Sequence, residues 1–359
     1  MSQAKRGNIK FFTSWRGVAA LAAFFIHNGY SDELCALGWS SMMFFFVMSG
    51  FLMMMHHDAD DLRRRGLKNF WGRKLGKIYL IHWAALALLL MLMLWHRGNV
   101  GDWRALVPNV LLVHCYIPVR EVFISYNGVT WFLSGIVLCY VCYPLLLRYT
   151  GSASRWCVIA VTAVVYAVVA YKADARQGVY LYVFPPLRLV EFMLGMEAYK
   201  LYERLRGHDL WSKPVTGVVA DAAIVMGYGL LLWYGWRGGC PENYQYSLLW
   251  WPYMTAVVVT AACLSGHEGP LGRLATSMPL MRLGEMSLEV FLFHGPIAVI
   301  VAYFVIPPVN KLGGGFFDPY LLDLPVLAWV YLLPVLAGSW YVHKKFTKRI
   351  DARLKQVFG

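Results

Sequence analysis

Apolar blocks of about 17 to 23 residues recur along this chain, the length a helix needs to cross a bilayer core at ~1.5 Å per residue. Hydrocarbon offers no partner to an exposed peptide group, so such blocks must be helical if they enter lipid. They predict spans at Phe11 to Tyr30, Gly38 to Met55, Ile78 to Trp95, Val129 to Leu147, Trp156 to Tyr171, Pro185 to Tyr202, Pro214 to Trp236, Ser247 to Ser265, Ser287 to Ile306 and Tyr320 to Val342. An eleventh stretch, Leu106 to Tyr116, is too short to cross and reads as interfacial or re-entrant. The expected fold is all-α: a polytopic transmembrane helical bundle of about ten membrane-spanning helices. Residues 1–342 form one transmembrane domain in this reading, and residues 343–359 a basic cytoplasmic tail.

Composition agrees. Only 15% of the 359 residues are charged and 59% are hydrophobic, whereas soluble domains carry charge at roughly a quarter of positions. Most of the 33 lysines and arginines fall on one side of the predicted spans. They include Lys5, Arg6 and Lys10, the loop His56 to Lys77, and the tail from Lys344 to Lys355. Basic loops stay in the cytoplasm, which predicts a multi-pass protein of the plasma (inner) membrane with both termini cytoplasmic. Juxtamembrane bases attracted to anionic headgroups of the lipid bilayer account for the net charge of +13, so no nucleic acid partner is expected. The first span imitates a secretory signal but is longer than a signal core and has no cleavage site before Asp32, so it is expected to stay. The seven cysteines form no disulfide framework; Cys35 and Cys240 share the outer side, but free thiols are the expectation. Cys139 and Cys142 read as helix packing.

Ionisable groups inside spans are costly and point to function. Those expected are Arg16 and His27, His82, Arg188 with Glu191 and Glu197, Asp221, Glu289 with His294, and Asp323. Arg16 and His27, eleven residues apart, return to almost the same helix face roughly 16 Å along the axis. One face thus carries a fixed cation near the cytoplasmic end and an imidazole nearer the outer end; snorkelling of Arg16 and a helix contact for His27 are the structural alternatives. Arg188 and Glu191, three apart, can pair. His294 precedes Gly295 and Pro296, where the helix is expected to be disturbed. The run His56, His57, Asp58, Asp60, Asp61 lacks a ligand spacing and reads as a solvated loop rather than a metal site.

Six stretches then fall in one order: Arg16-x10-His27; FFFVMSGFL from Phe44 to Leu52; RKLGKIYLIHW from Arg73; TWFLSGIVLCYVCYP from Thr130 to Pro144; PPLRLVEFMLGM from Pro185 to Met196; and LGEMSLEVFLFHGPI from Leu283 to Ile297. Along nearly the whole chain this resembles the bacterial acyltransferase 3 family of membrane-bound O-acyltransferases. Met43, Ile136 and Leu80 depart from that family's pattern and mark a divergent branch. The resemblance implies transfer of an acyl group, usually acetyl from acetyl-CoA, to a hydroxyl of a cell-surface or exported glycan or its lipid-linked precursor. It implies no bound cofactor or metal, an acyl-CoA as donor on the cytoplasmic side, and a possible partnership with polysaccharide assembly machinery.

The residues fit that chemistry. A basic stretch ending in Arg73, Lys74 and Lys77, with Arg16, suits the donor's phosphates. A sugar hydroxyl needs a base near neutral pH, a role that falls to His27, either as general base or as transient acyl carrier. Ser49, Trp131 and Arg188 are candidate oxyanion donors because they lie in the resembling motifs, with close helix packing the alternative for Ser49. Glu191 then orients Arg188, and His294 forms a second polar wall. Tyr244, Tyr246 and Trp250 read as interface aromatics or sugar platforms. A transporter or flippase for a glycan or polar solute is the rival from another class, and a non-catalytic partner in polysaccharide assembly the third.

Overall fold

A computed structural model describes residues 9–28, 31–149, 151–172, 175–236, 248–301, 303 and 325–358. Among these residues the secondary structure is helical, with no strand. In chain order the helices are α1 (Lys10–Ile26), α2 (Ser31–His56), α3 (Ala59–Arg65), α4 (Leu67–Arg97), α5 (Trp103–Val110), α6 (Arg120–Phe123), α7 (Trp131–Tyr149), α8 (Ser152–Lys172) and α9 (Ala175–Val183). They continue as α10 (Pro185–Leu205), α11 (Pro214–Trp236), α12 (Trp250–Cys263), α13 (Pro270–Ala275), α14 (Met278–Glu285), α15 (Ser287–Ile300), α16 (Pro325–Val342) and α17 (Lys348–Phe358). A π-helical turn, His343–Thr347, joins the last two.

Among the described residues, five helices are long and apolar enough to cross a membrane: Leu37–His56, Leu67–His96, Gly128–Arg148, Ser152–Lys172 and Pro214–Tyr234. The number rises to seven if α9 with α10, and α14 with α15, each make one broken span. The other three expected spans contain α1, α12 and α16, of 17, 14 and 18 residues. Large apolar side chains cover the outside of α8 and α11, among them Val161, Val164, Val168, Val219, Met226 and Trp233. Such a surface would promote aggregation in water and is at home in lipid.

The chain divides into two compact units. The first comprises Met1–Gly17, Trp39–Leu67 and Gly135–Glu285; the second comprises Val18–Gly38, Lys68–Ser134 and Met286–Gly359. In the first, α2 and α10 cross at two glycines. A Cβ on Gly50 would overlap the Phe192 carbonyl, and one on Gly195 the Val47 carbonyl, the close approach that small residues permit between apolar helices. At the bend between α9 and α10, 47°, Phe184 is extended before Pro185 and Pro186 because a following proline disfavours helical backbone. In the second unit α15 packs along α16, where a Cβ on Gly338 would come within 2.8 Å of Ile297 Cδ1.

Two expectations are corrected. The stretch His56 to Lys77 is not a loop: α3 and the first turns of α4 occupy most of it, and α4 starts eleven residues before the expected Ile78. Asp58 caps α3 by accepting from the Asp61 N–H at 2.8 Å, and buried Asp61 bonds His57 at 2.8 Å and Arg65 at 2.7 Å. At Gly295 and Pro296 the helix α15 continues, with the expected disturbance confined to the Leu292 carbonyl, which Pro296 has no N–H to serve. Finally, Trp250 is neither an exposed platform nor an interface aromatic; it is buried against Tyr228 and Tyr253, with ring centroids at 5.2 and 6.0 Å. The Leu106–Tyr116 stretch is α5, a turn and a short 3-10 segment, His114–Tyr116. Cys115, Cys139, Cys142, Cys157 and Cys263 are free thiols. Cys240, Tyr244, Tyr246 and Asp323 lie outside the described residues, as does the side chain of Cys35.

Candidate active site

In the second unit, His27 stands one residue past the end of α1. Its N–H donates to Ala23 O at 3.1 Å, extending the helical register by one residue. The Asn28 side chain donates to Phe24 O at 2.7 Å and closes the helix end. The His27 ring lies nearly parallel to that of His294, with centroids 5.6 Å apart and planes 15° from parallel. His27 is exposed and His294 buried. His294 Nδ1 lies 3.2 Å from Val290 O. A carbonyl can only accept, so in the neutral ring the proton sits on Nδ1 and Nε2 keeps its lone pair. Phe24 and Phe291 meet the same ring edge-on at 6.2 and 6.4 Å.

Trp131, the first residue of α7, belongs to this unit and is buried edge-to-face against Phe132 at 6.2 Å. Phe132 in turn packs on Phe291 at 5.5 Å, which connects the wall around Trp131 to that around His294. Asn127, which carries no mark in the sequence, is buried here and donates to Leu292 O at 2.8 Å.

The basic residues of α4 lie in the second unit too. Arg73, Lys74 and Lys77 are partly exposed, and Lys77 Nζ is 2.9 Å from Asp351 on α17. The tail is therefore a docked helix: a Cβ on Gly72 would come within 2.6 Å of the Phe358 ring, and one on Gly76 within 3.1 Å of Leu354. His343, at the start of the π-helical turn, pairs with buried Glu289 at 3.0 Å.

In the first unit, partly exposed Arg16 acts electrostatically on Tyr140 of α7, whose hydroxyl hydrogen-bonds Ser49. Arg16 and Ser49 are thus brought together through Tyr140, which sequence reasoning missed because a tyrosine inside an apolar run carries no mark of its role. Arg16 belongs to the first unit and His27 to the second.

Arg188 and Glu191 form the expected pair, 2.8 Å apart and wholly enclosed. Trp251 of α12 donates to the same carboxylate at 2.9 Å, and Tyr182 and Phe46 face the guanidinium at 5.2 and 6.0 Å. A cation in this aromatic and ionic enclosure is held as a structural element. Glu197 is similarly occupied, with Arg155 at 2.6 Å and Lys200 at 3.3 Å. Asp221 accepts from the Leu271 N–H at 2.8 Å at the start of α13. No cluster of three or more His, Cys, Asp or Glu side chains suited to a metal stands among the described residues.

Comparison with known proteins bears on what chemistry these groups serve. Residues 9–344 match the acyltransferase 3 family, described as an acyltransferase domain. Acyltransferase MdmB of Streptomyces mycarofaciens is 26% identical over 298 residues, covering 77% of this chain and 67% of that protein. No solved structure is significantly similar. The family match takes in both units and runs through Arg16, His27, Arg188 and His294 alike, so the chain belongs to the acyltransferase 3 family and is an acyltransferase.

Proposed function

We propose that the protein is a membrane-bound O-acyltransferase that moves acetyl from acetyl-CoA to a hydroxyl of a cell-surface or exported polysaccharide, or of its lipid-linked precursor. The observation that carries this reading is the parallel His27 and His294 pair in a chain of this family. A neutral imidazole suits proton removal from a hydroxyl.

In the proposed reaction His27 takes the hydroxyl proton as the oxygen attacks the thioester carbonyl. The tetrahedral oxyanion collapses, the C–S bond breaks, and the His27 imidazolium returns the proton to the departing CoA thiolate. Ser49 and Trp131 are the proposed oxyanion donors. Arg16, Arg73, Lys74 and Lys77 bind the donor's phosphates. Arg188, oriented by Glu191, holds the interior of the first unit in place. No bound cofactor is required, because acetyl-CoA enters as a substrate. The proposed topology has ten spans in the plasma membrane, with both termini and the 343–359 tail cytoplasmic. The domain of residues 1–342 would act alone or beside polysaccharide assembly machinery.

The test is transfer of labelled acetyl from acetyl-CoA to surface glycan in a deletion strain complemented with wild type or His27→Ala, both shown to be folded in the membrane. General base catalysis supplies roughly 10²–10⁴-fold, and a loss of that order is expected for the variant. Equal transfer by the two would sink the assignment of His27. Glycan transport without acetylation by wild type would replace the reading with transport.

A further inference from the structure

Pro296 lies inside α15, and a proline has no N–H to give the carbonyl four residues earlier. That carbonyl belongs to Leu292, a fully buried residue. A buried carbonyl without a donor is costly. Here Asn127 supplies the donor, its side-chain Nδ2 lying 2.8 Å from Leu292 O. Asn127 comes from the turn before the 3-10 segment Gly128–Thr130 and is itself buried. Its own carbonyl accepts from Thr130 Oγ1 at 2.8 Å, which anchors the turn. The amide oxygen faces Gly295, where an added Cβ would sit 3.7 Å away. The asparagine therefore spans the 292–296 turn and braces it from outside the helix.

His294 is in the middle of that turn, and its ring is the one against which His27 lies. We infer that Asn127 is a positioning residue: by replacing the helix hydrogen bond that Pro296 removes, it fixes the turn bearing His294 and so holds the His27 ring in its working orientation. This rests on the reading of His27 as the catalytic base. Asn127 has no role in proton transfer or donor binding.

The missing bond can be restored from inside the helix, which provides the test. In Pro296→Ala the substituted residue has a backbone N–H that can reach Leu292 O, and the asparagine becomes redundant. Acetyl transfer is measured with wild type, Asn127→Ala, Asn127→Asp, Pro296→Ala and the double variant Asn127→Ala/Pro296→Ala, in detergent or membranes after checking for a monodisperse protein. Misplacing a reacting group by about 1 Å can cost on the order of 100-fold. Asn127→Ala and Asn127→Asp, neither of which offers the amide donor, are expected to lower kcat roughly 10- to 100-fold with KM for acetyl-CoA unchanged. In the Pro296→Ala background, Asn127→Ala is expected to cost less than about twofold, the range of an interaction already replaced. Poor folding of Asn127→Ala alone, relieved in the double variant, also supports the brace.

Wild-type turnover by folded Asn127→Asp would overturn the proposal. So would an equal loss from Asn127→Ala with or without Pro296, because the asparagine would then act on something other than the Leu292 carbonyl. Failure of the His27 reading is separable: His27→Ala would retain activity, whereas the rescue by Pro296→Ala depends only on the 292–296 turn.

Discussion

Arg188 and Glu191 stand 2.8 Å apart with neither side chain exposed, and Trp251 binds the same carboxylate oxygen that faces the guanidinium. Removing one partner of a buried pair strands the other charge, which typically costs roughly 3–5 kcal/mol, whereas apolar replacement of both is often close to neutral. Glu191→Leu is therefore expected to lower thermal stability in detergent sharply, and Arg188→Met/Glu191→Leu to recover most of the loss. A double variant no more stable than Glu191→Leu would mean that Arg188 is stabilised by something other than the carboxylate.

The crossing of α2 and α10 leaves no room for a side chain at Gly50 or Gly195. Each added methyl would meet backbone rather than a movable side-chain tip. Gly50→Ala and Gly195→Ala should each destabilise by about 1–3 kcal/mol or more, seen as a lower yield of monodisperse protein and a lower melting temperature. Gly151→Ala, at a position where an added Cβ meets nothing within 4 Å, serves as the control and should melt like wild type.

The tail helix is held by apolar contacts of Phe358 and Leu354 with the glycine face of α4, alongside the partly exposed Lys77–Asp351 pair. An exposed ion pair contributes roughly 0–1 kcal/mol, so Asp351→Asn should leave the helix docked. Gly72→Val should displace it, because the new side chain would occupy the position of the Phe358 ring. Limited trypsinolysis between Lys348 and Lys355 distinguishes them: rapid cleavage is expected in Gly72→Val and slow cleavage in Asp351→Asn and wild type.

Asp61 links the helix-capping turn at Asp58 to Arg65 at the end of α3. Burial pushes its carboxyl up, but hydrogen bonds from His57 and Arg65 and the charge of Arg65 outweigh that and hold it below the usual carboxylate range. A carboxyl depressed by folding adds stability that is fully present above its unfolded pKa and is lost as pH falls through the folded one. The α3 segment should therefore open to pepsin as pH drops below the ordinary aspartate range, about 3.9. Asp61→Asn should open the segment to trypsin at Arg63 to Arg65 even at neutral pH. Resistance of the variant equal to wild type would show that the segment is held by other contacts.

How much of this was readable beforehand depends on the distance over which each interaction acts. Arg188 and Glu191 pair across one helical turn, and their spacing announced it. Trp251, the third member, comes from sixty residues away, and nothing in its apolar surroundings marked it as a donor. Pro296 was visible as a helix disturbance, yet the helix continues because Asn127, far back in a loop, supplies the missing bond. The charged run His56 to Asp61 reads as a solvated loop, although an aspartate cap and i, i+4 ion pairs hold Ala59–Arg65 in a helix.

The sequence by itself determined that the described residues are helical, that several of their helices are long and apolar enough to cross a membrane, and which family's motifs the chain carries. Those follow from local hydrogen bonding and the hydrophobicity of contiguous segments, properties that each segment possesses alone. Only the tertiary structure decided that His294 lies against His27, that Tyr140 joins Arg16 to Ser49, and that Arg188 is enclosed rather than open. Those outcomes depend on which helix faces meet, and that choice belongs to the packing of the whole chain.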